Sequence, residues 1–274
     1  MYERTDDLTA ELRQDLADWL LAIADSKSIL GLRYAEWSTG APELEADVTI
    51  SAMAQYEMGH SRLLLGVLSK MEEDPRTAAR SSDMATWRNM ASLDRPAPSW
   101  IEVVALNGLV DTLLTVNLEA AMNGNLAPVA KRLRKAVSEE EYHMLHAQAW
   151  FERMWTAPPE IVERFSSAIR ANWADCLAWF GPVGGNNSLD RLAAAGVLDG
   201  DAATLRQRFV ARTMPMLEGL DVGAIAEGDG WRLTAEPDLE GWDAASRRSI
   251  PPDFDEASFA ILTGAHARDM GVED

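Results

Sequence analysis

From Leu8 to Met154 apolar residues recur at three- and four-residue spacing in four long segments, the periodicity of helices that each bury one face. The first segment runs from about Leu8 to Ser38 and is stopped by Thr39-Gly40-Ala41-Pro42; the second follows from about Leu44 to Lys70. A polar stretch from Glu72 to Pro98 contains Pro75, Pro96 and Pro98 and is expected to hold only a short helix around Met84 to Met90. Ser99-Trp100-Ile101-Glu102 fits a capping box at the head of the third segment, which ends near Met122-Asn123-Gly124. The fourth spans about Ala127 to Met154 and is stopped by Ala157-Pro158-Pro159.

Two tight helical hairpins joined by one longer connection predict an all-α fold, a ferritin-like four-helix bundle. A fifth helix, about Pro159 to Phe180, and a sixth, about Ala202 to Leu217, are expected outside it. The remainder holds Gly228, Gly230, Pro237, Pro251 and Pro252 and predicts an irregular tail. The expected organisation is a bundle with outer helices over 1–220, and a tail, 221–274, that wraps the same domain.

Composition narrows the function. The chain has 274 residues, with 25 Lys and Arg against 44 Asp and Glu, a formal charge of −19. Such a surface repels a polyanion, which argues against nucleic acid as a partner. With 47% hydrophobic and 25% charged residues the composition is that of a globular protein. A single cysteine, Cys176, excludes a disulfide framework, a four-thiolate zinc site and a self-contained iron–sulfur cluster. Met1 to Asp15 carries no basic leader followed by an apolar core, and no uninterrupted apolar run approaches the roughly 20 residues of a membrane span. A cytoplasmic protein with no membrane partner is the expectation.

The chemistry is concentrated in two motifs, Glu57-Met58-Gly59-His60 on the second segment and Glu140-Glu141-Tyr142-His143 on the fourth. Residues three apart share a helix face, so each motif presents a carboxylate and an imidazole to one point. At about 100° per residue, Glu57 and His60 share an arc with Ile50, Met53, Leu64 and Leu68, and Glu140 and His143 share one with Val129, Ala136, Ala147 and Met154. Both arcs predict burial, which isolated charges do not tolerate.

The third segment offers Asp111 and Glu119. With a turn near Asn125, Asp111 lies 125 − 111 = 14 residues before it and Glu140 lies 140 − 125 = 15 after it, so the two are level. Glu119 is displaced from that level by roughly 13 Å at about 1.5 Å per residue, so Asp111 is the expected ligand. On the first segment the level of Glu57 falls on Asp25-Ser26-Lys27-Ser28, where no Glu is available. Lys27 falls near the centre of the buried arc of Leu12, Leu16, Leu20, Ile23, Ala24, Leu30 and Tyr34, whereas Asp25 reaches the site only if the helix is rotated. The expected metal ligands are therefore Glu57, His60, Asp111, Glu140 and His143, with Lys27 as the candidate catalytic residue beside them. A snorkelling Lys27 at a partly exposed position is the competing reading. His146, off the ligand arc, and His266 are expected to be ordinary polar residues, and Glu139 and Glu141 solvated or supporting groups.

Three carboxylates and two imidazoles suit iron or manganese rather than structural zinc, and a carboxylate-bridged iron pair activates dioxygen. The sequence resembles the oxygenase subunits of the phenylacetyl-CoA 1,2-epoxidase (phenylacetyl-CoA monooxygenase) family. Glu36-Trp37 and Gly40 to Glu45 look like the non-catalytic structural subunit; Gln55 to His60, Ser99-Trp100, Gly108 to Asp111, Glu139 to His143, Trp179 to Pro182 and Leu205 to Val210 look like the catalytic one. The resemblance implies the same five ligands and two non-haem irons. It also implies oxygen insertion into an aromatic ring carried as a coenzyme A thioester. Electrons would come from a separate flavin and iron–sulfur reductase, and the chain would assemble as a homo-oligomer or with a sister oxygenase subunit. Two departures stand out: Lys27 or Ser28 occupies the place of the first-helix Glu, and Tyr56 that of an Asp. A non-catalytic scaffold role is the alternative, and iron storage a more distant one.

Overall fold

The structure, a computed structural model, describes residues 1–76, 82–184 and 187–264. Helix α1 (Ala10–Ala35) and helix α2 (Leu44–Leu68) form the first hairpin. Thr9 caps α1 by accepting from the Leu12 amide at 3.3 Å. The polar connection carries short 3₁₀ turns at Met84–Thr86 and Ala91–Leu93, where a helix from Met84 to Met90 is expected from sequence. Its polar groups are tied to the bundle one by one: the Arg88 amide donates to Asp25, the Met90 amide to Ser26, and the Ser92 amide to Asp175.

The third segment is interrupted. Helix α3 (Trp100–Leu106) passes into a π-turn over Asn107–Asp111 and then helix α4 (Thr112–Met122). The capping box is not formed: the Ser99 hydroxyl accepts from the Ile101 amide and donates to Glu102, and Glu102 is further engaged by Arg164. Helix α5 (Ala127–Trp155), with a Pro in its first turn, packs against α4 and α2. Trp100–Met122 is long and apolar enough to cross a membrane, but 94% of its window is buried inside the bundle, where it is a central helix.

Helix α6 (Pro159–Trp179) lies against α3. Helix α7 (Ser188–Ala194), capped by Asn187, packs on α1, and helix α8 (Ala202–Thr213), capped by Asp201, lies against α4. This all-α, ferritin-like bundle also carries an antiparallel hairpin, β1 (Ala224–Glu227) with β2 (Gly230–Leu233), and a short helix α9 (Glu256–Leu262). His266 lies outside the described residues.

Two arginines pin the segment after the hairpin. Arg248 is paired with Asp94 at 2.5 Å, and buried Arg247 donates to the carbonyls of Trp179 and Phe180 while stacking on Trp179. Arg33 on α1 binds the Leu93 and Asp94 carbonyls and Ser258 of α9. Because the outer helices and these straps cover α1, it is buried on nearly every side, which leaves no polar face for Asp25 or Lys27 to use. Gly31 lets α1 approach α2 closely: a Cβ there would lie 3.0 Å from the Ala54 carbonyl oxygen and 3.1 Å from the Glu57 Cβ.

Candidate metal centre

Glu57 from α2, Asp111 from the π-turn, and Glu140 and His143 from α5 converge in the bundle interior, each offering one donor atom within 4.8 Å of the others. All four are at most 2% exposed, as is His60. The π-turn contributes directly, because its extra residue re-aims the side chains at its end, here Asn107 and Asp111. It is accommodated by Gly108, whose missing side chain makes room for the Phe151 ring: a Cβ would lie 2.2 Å from it.

Lys27 is wholly buried at the centre of the cluster. Its Nζ donates to Glu57 at 2.9 Å, Asp111 at 2.9 Å and Glu140 at 2.5 Å. The snorkelling reading is thus corrected, since no solvent lies within reach of the ammonium. Asp25 is also buried but turns away from the site to accept from the Arg88 amide. The level of α1 that faces these carboxylates therefore holds a cation where a two-metal site would have a carboxylate.

The remaining hydrogen bonds form a supporting layer. Tyr34 donates to Asp111 at 3.0 Å, and Thr115 donates to Glu140 at 2.8 Å. Glu139 holds His60 Nε2 at 2.9 Å, and the Asn107 amide reaches Asp111 and the His143 carbonyl. Sequence reasoning assigned no role to Tyr34, Thr115 or Asn107. The signal was present in their spacing: Tyr34 lies seven residues after Lys27, and Thr115 four after and Asn107 four before Asp111, each a polar group on a buried arc. His146 is half-buried off the arc, with Nδ1 against Asn107 at 2.9 Å. Glu119 is occupied elsewhere, by a two-bond ion pair with Arg212 of α8.

The electrostatics describe a cluster that balances itself. Burial alone would lower the Lys27 ammonium, but Asp111, Glu140 and Glu57 outweigh it and hold the pKa well above the usual lysine value. Burial would raise Asp111, yet Lys27 and His143 keep it well below the ordinary aspartate value. Glu57 is pushed up to about 7 by burial and by the neighbouring Asp111. Burial disfavours the imidazolium of His143, but Asp111 and Glu140 raise it well above 6.5; His60 is raised likewise, by its contact with Glu140. Three acids thus face one ammonium and two imidazoles driven toward protonation.

The donor set nevertheless retains unused capacity. Glu57 Oε2 and His60 Nδ1 are buried at the cluster without a hydrogen-bond partner, whereas His143 turns Nδ1 to Asp111 and its unpartnered Nε2 is the other ring nitrogen. His60 Nδ1 lies 2.9 Å from Glu140 Oε1 but out of line for a hydrogen bond. A metal ion uses such lone pairs, and the Glu139–His60 contact is the carboxylate–histidine arrangement that orients a ligating imidazole. The oxygen and nitrogen donors fit iron or manganese. They can hold one ion in place of the ammonium, while a second position lacks its α1 carboxylate as long as Lys27 stands there.

The model of the family described as phenylacetic acid catabolic protein matches residues 1–227. The chain belongs to this family. Two of its curated relatives are different subunits of the 1,2-phenylacetyl-CoA epoxidase of Escherichia coli (strain K12). One is 24% identical over 160 residues, 58% of this chain and 64% of the relative. The other is 24% identical over 198 residues, 72% of this chain and again 64% of the relative. The matched region thus spans just under two thirds of each of these family members. The five residues around Lys27 all lie inside the region that matches the family.

Proposed function

We propose that the chain is a non-haem iron oxygenase subunit of a phenylacetyl-CoA-epoxidase-type complex. It would act on an aromatic or acyl group carried as a coenzyme A thioester, in the cytoplasm, with a sister oxygenase chain and a separate reductase. In this reading Glu57, His60, Asp111, Glu140 and His143 are the metal ligands and Lys27 is the group that holds positive charge beside them. Residues 1–220 and the tail, 221–274, act as one domain. The observation that carries the proposal is the buried convergence of four donor residues, Glu57, Asp111, Glu140 and His143, from three segments with His60 beside them, where Glu57 Oε2 and His60 Nδ1 have no hydrogen-bond partner. Iron bound there would supply dioxygen activation.

The chain's own residues have defined tasks in this reading. Glu139 fixes the His60 ring through Nε2, and the Tyr34 hydroxyl and Asn107 amide hold one Asp111 oxygen. Thr115 holds a proton 2.8 Å from Glu140 Oε2. Lys27 neutralises the three carboxylates, and an ion held by them would require it to withdraw from at least one. Iron quantification on protein from iron-supplemented cells tests this: at least one iron per chain is expected, lost in Glu57→Ala and His143→Ala. Well under one, unchanged by either substitution, contradicts it.

A second reading, a non-catalytic scaffold role, is favoured by the three ion pairs of Lys27, which give the cluster a cation without any metal. It expects Lys27 to remain in place in protein saturated with iron or manganese.

A further inference from the structure

Helix α2 packs on α1 and α5, whereas α6, α7 and α8 lie on α3, α1 and α4, so among the described residues no outer helix covers the far side of α2. Leu44 and Val48 there are 74% and 63% exposed, and Tyr142 on the adjoining side of α5 is 67% exposed. A shallow depression lined by Leu44, Val48, Ala52, Gln55 and Tyr56 runs along this face. From Leu44 one stripe continues through Val48, Ser51, Gln55, Gly59, Arg62 and Gly66 at steps of three or four residues. Gly59 and Gly66 are unexplained by the chain's own packing, since a Cβ at either would meet nothing within 4 Å. A glycine inside a helix costs stability, so two of them on an open stripe point to close approach by a helix from outside.

The face is also polarised. The Glu43–Arg153 and His60–Glu139 contacts set α2 and α5 antiparallel. Glu43, Glu45 and Asp47 stand at one end, and Arg62, Lys70, Lys131 and Lys135 at the other. We propose that this face docks a second copy of the chain, about a two-fold axis that crosses α2 between Met53 and Ala54 and sets the two α2 helices antiparallel. Glu45 and Arg62 lie equally far on either side of that axis, as do Val48 and Gly59. Glu45 then meets Arg62 of the second copy, with Lys135 beside it, and Val48 fills the space over Gly59. Each contact occurs twice, as an isologous interface requires. A face with opposite charges at its two ends matches itself in this arrangement, whereas a parallel one opposes like charges. With α2 about 37 Å long and the two-helix face about 20 Å across, each copy offers about 750 Å², near the roughly 800 Å² of a standard interface. Docking there also covers Tyr56, which stacks on His60, and Glu139, which holds its Nε2, so the dimer seals the outer edge of the buried cluster. The placement is independent of whether the cluster takes iron.

Sedimentation velocity of the full chain at about 1 to 100 µM, which reaches the weak end of the affinities that interfaces of this size show, provides the test. The expected result is a dimer that dissociates on dilution. Gly59→Trp, whose Cβ meets no neighbour within the chain, should weaken association at least about tenfold while the helical circular dichroism stays unchanged. Arg62→Glu and Glu45→Arg should each weaken it at least about tenfold, because each sets like charges opposite one another twice. An equimolar mixture of these two variants should regain the dimer, since every contact again pairs opposite charges, and that recovery separates a lost interface from a lost fold. A chain that stays monomeric throughout this range, a dimer indifferent to Gly59→Trp, or a mixture no better associated than either variant alone overturns the assignment.

Discussion

Replacing Lys27 with Met keeps the length and bulk of the side chain and removes its charge. Three carboxylates are then left around a buried hydrocarbon, where Nζ had stood 2.5 to 2.9 Å from each of them. Removing one partner of a buried ion pair costs about 3–5 kcal/mol, because the remaining charge is neither solvated nor paired. For a domain of this size about 2–4 °C accompanies each kcal/mol, so metal-free Lys27→Met should unfold about 6–20 °C below the wild type. The loss should be greater at pH 8 than at pH 5.5. Glu57, already raised to about 7 with the ammonium present, loses one of its two stabilising neighbours in the variant and takes up a proton more readily on the acid side. Manganese should restore much of the difference, about 2.7 kcal/mol at one hundred times its Kd. Paired thermal scans with chelator and with manganese provide the assay. A variant that melts within a degree of the wild type at pH 8 with chelator would refute the compensating role of Lys27.

Other substitutions probe the surrounding layer. Glu139→Ala removes the acceptor that orients His60 and should weaken metal binding about 10–100-fold in an equilibrium titration, with the fold unchanged by circular dichroism. Gly108→Ala places a methyl 2.2 Å from the Phe151 ring and should cost at least about 1–3 kcal/mol in denaturant unfolding. The stability of metal-free protein should fall as pH rises from about 5 to 8. His143 and His60 have raised folded-state pKa values, so their contribution is complete below 6.5 and is lost as pH climbs through those values. Glu57, raised from 4.5 to about 7, keeps a proton in the folded chain that the unfolded chain has released, which gives the same slope between those values. Denaturant midpoints at pH 5.5, 7 and 8 check this, and Glu57→Gln should flatten the lower part of the profile.

Much of the site was legible because helical spacing and hairpin level are both arithmetic on residue numbers. Glu57, His60, Glu140 and His143 share buried arcs, and Asp111 rather than Glu119 matches their level. Tertiary contacts decided what the pattern left open. α1 is buried on nearly all sides, so its own periodicity could not say whether Lys27, Ser28 or Asp25 faced the cluster; the packing of the 82–99 connection against Asp25 and Ser26 settles the orientation. The π-turn at Asn107–Asp111 has no periodic signature, since Gly108 and its neighbours continue the apolar run. The buried roles of Arg247 and Arg248 escaped for a related reason: the partners that tie them to the bundle, Trp179 and Phe180 for Arg247 and Asp94 for Arg248, lie more than sixty residues away. Helix α7 and the β1–β2 hairpin are too short for the period to emerge from sequence.

The most direct test is a crystal structure of iron-loaded protein with anomalous scattering measured across the iron absorption edge. The account predicts a peak between Glu57, Asp111, Glu140 and His143, with Lys27 Nζ displaced from at least one of its three carboxylate partners. Saturating iron with no peak there, and Lys27 still bridging all three carboxylates, would contradict it.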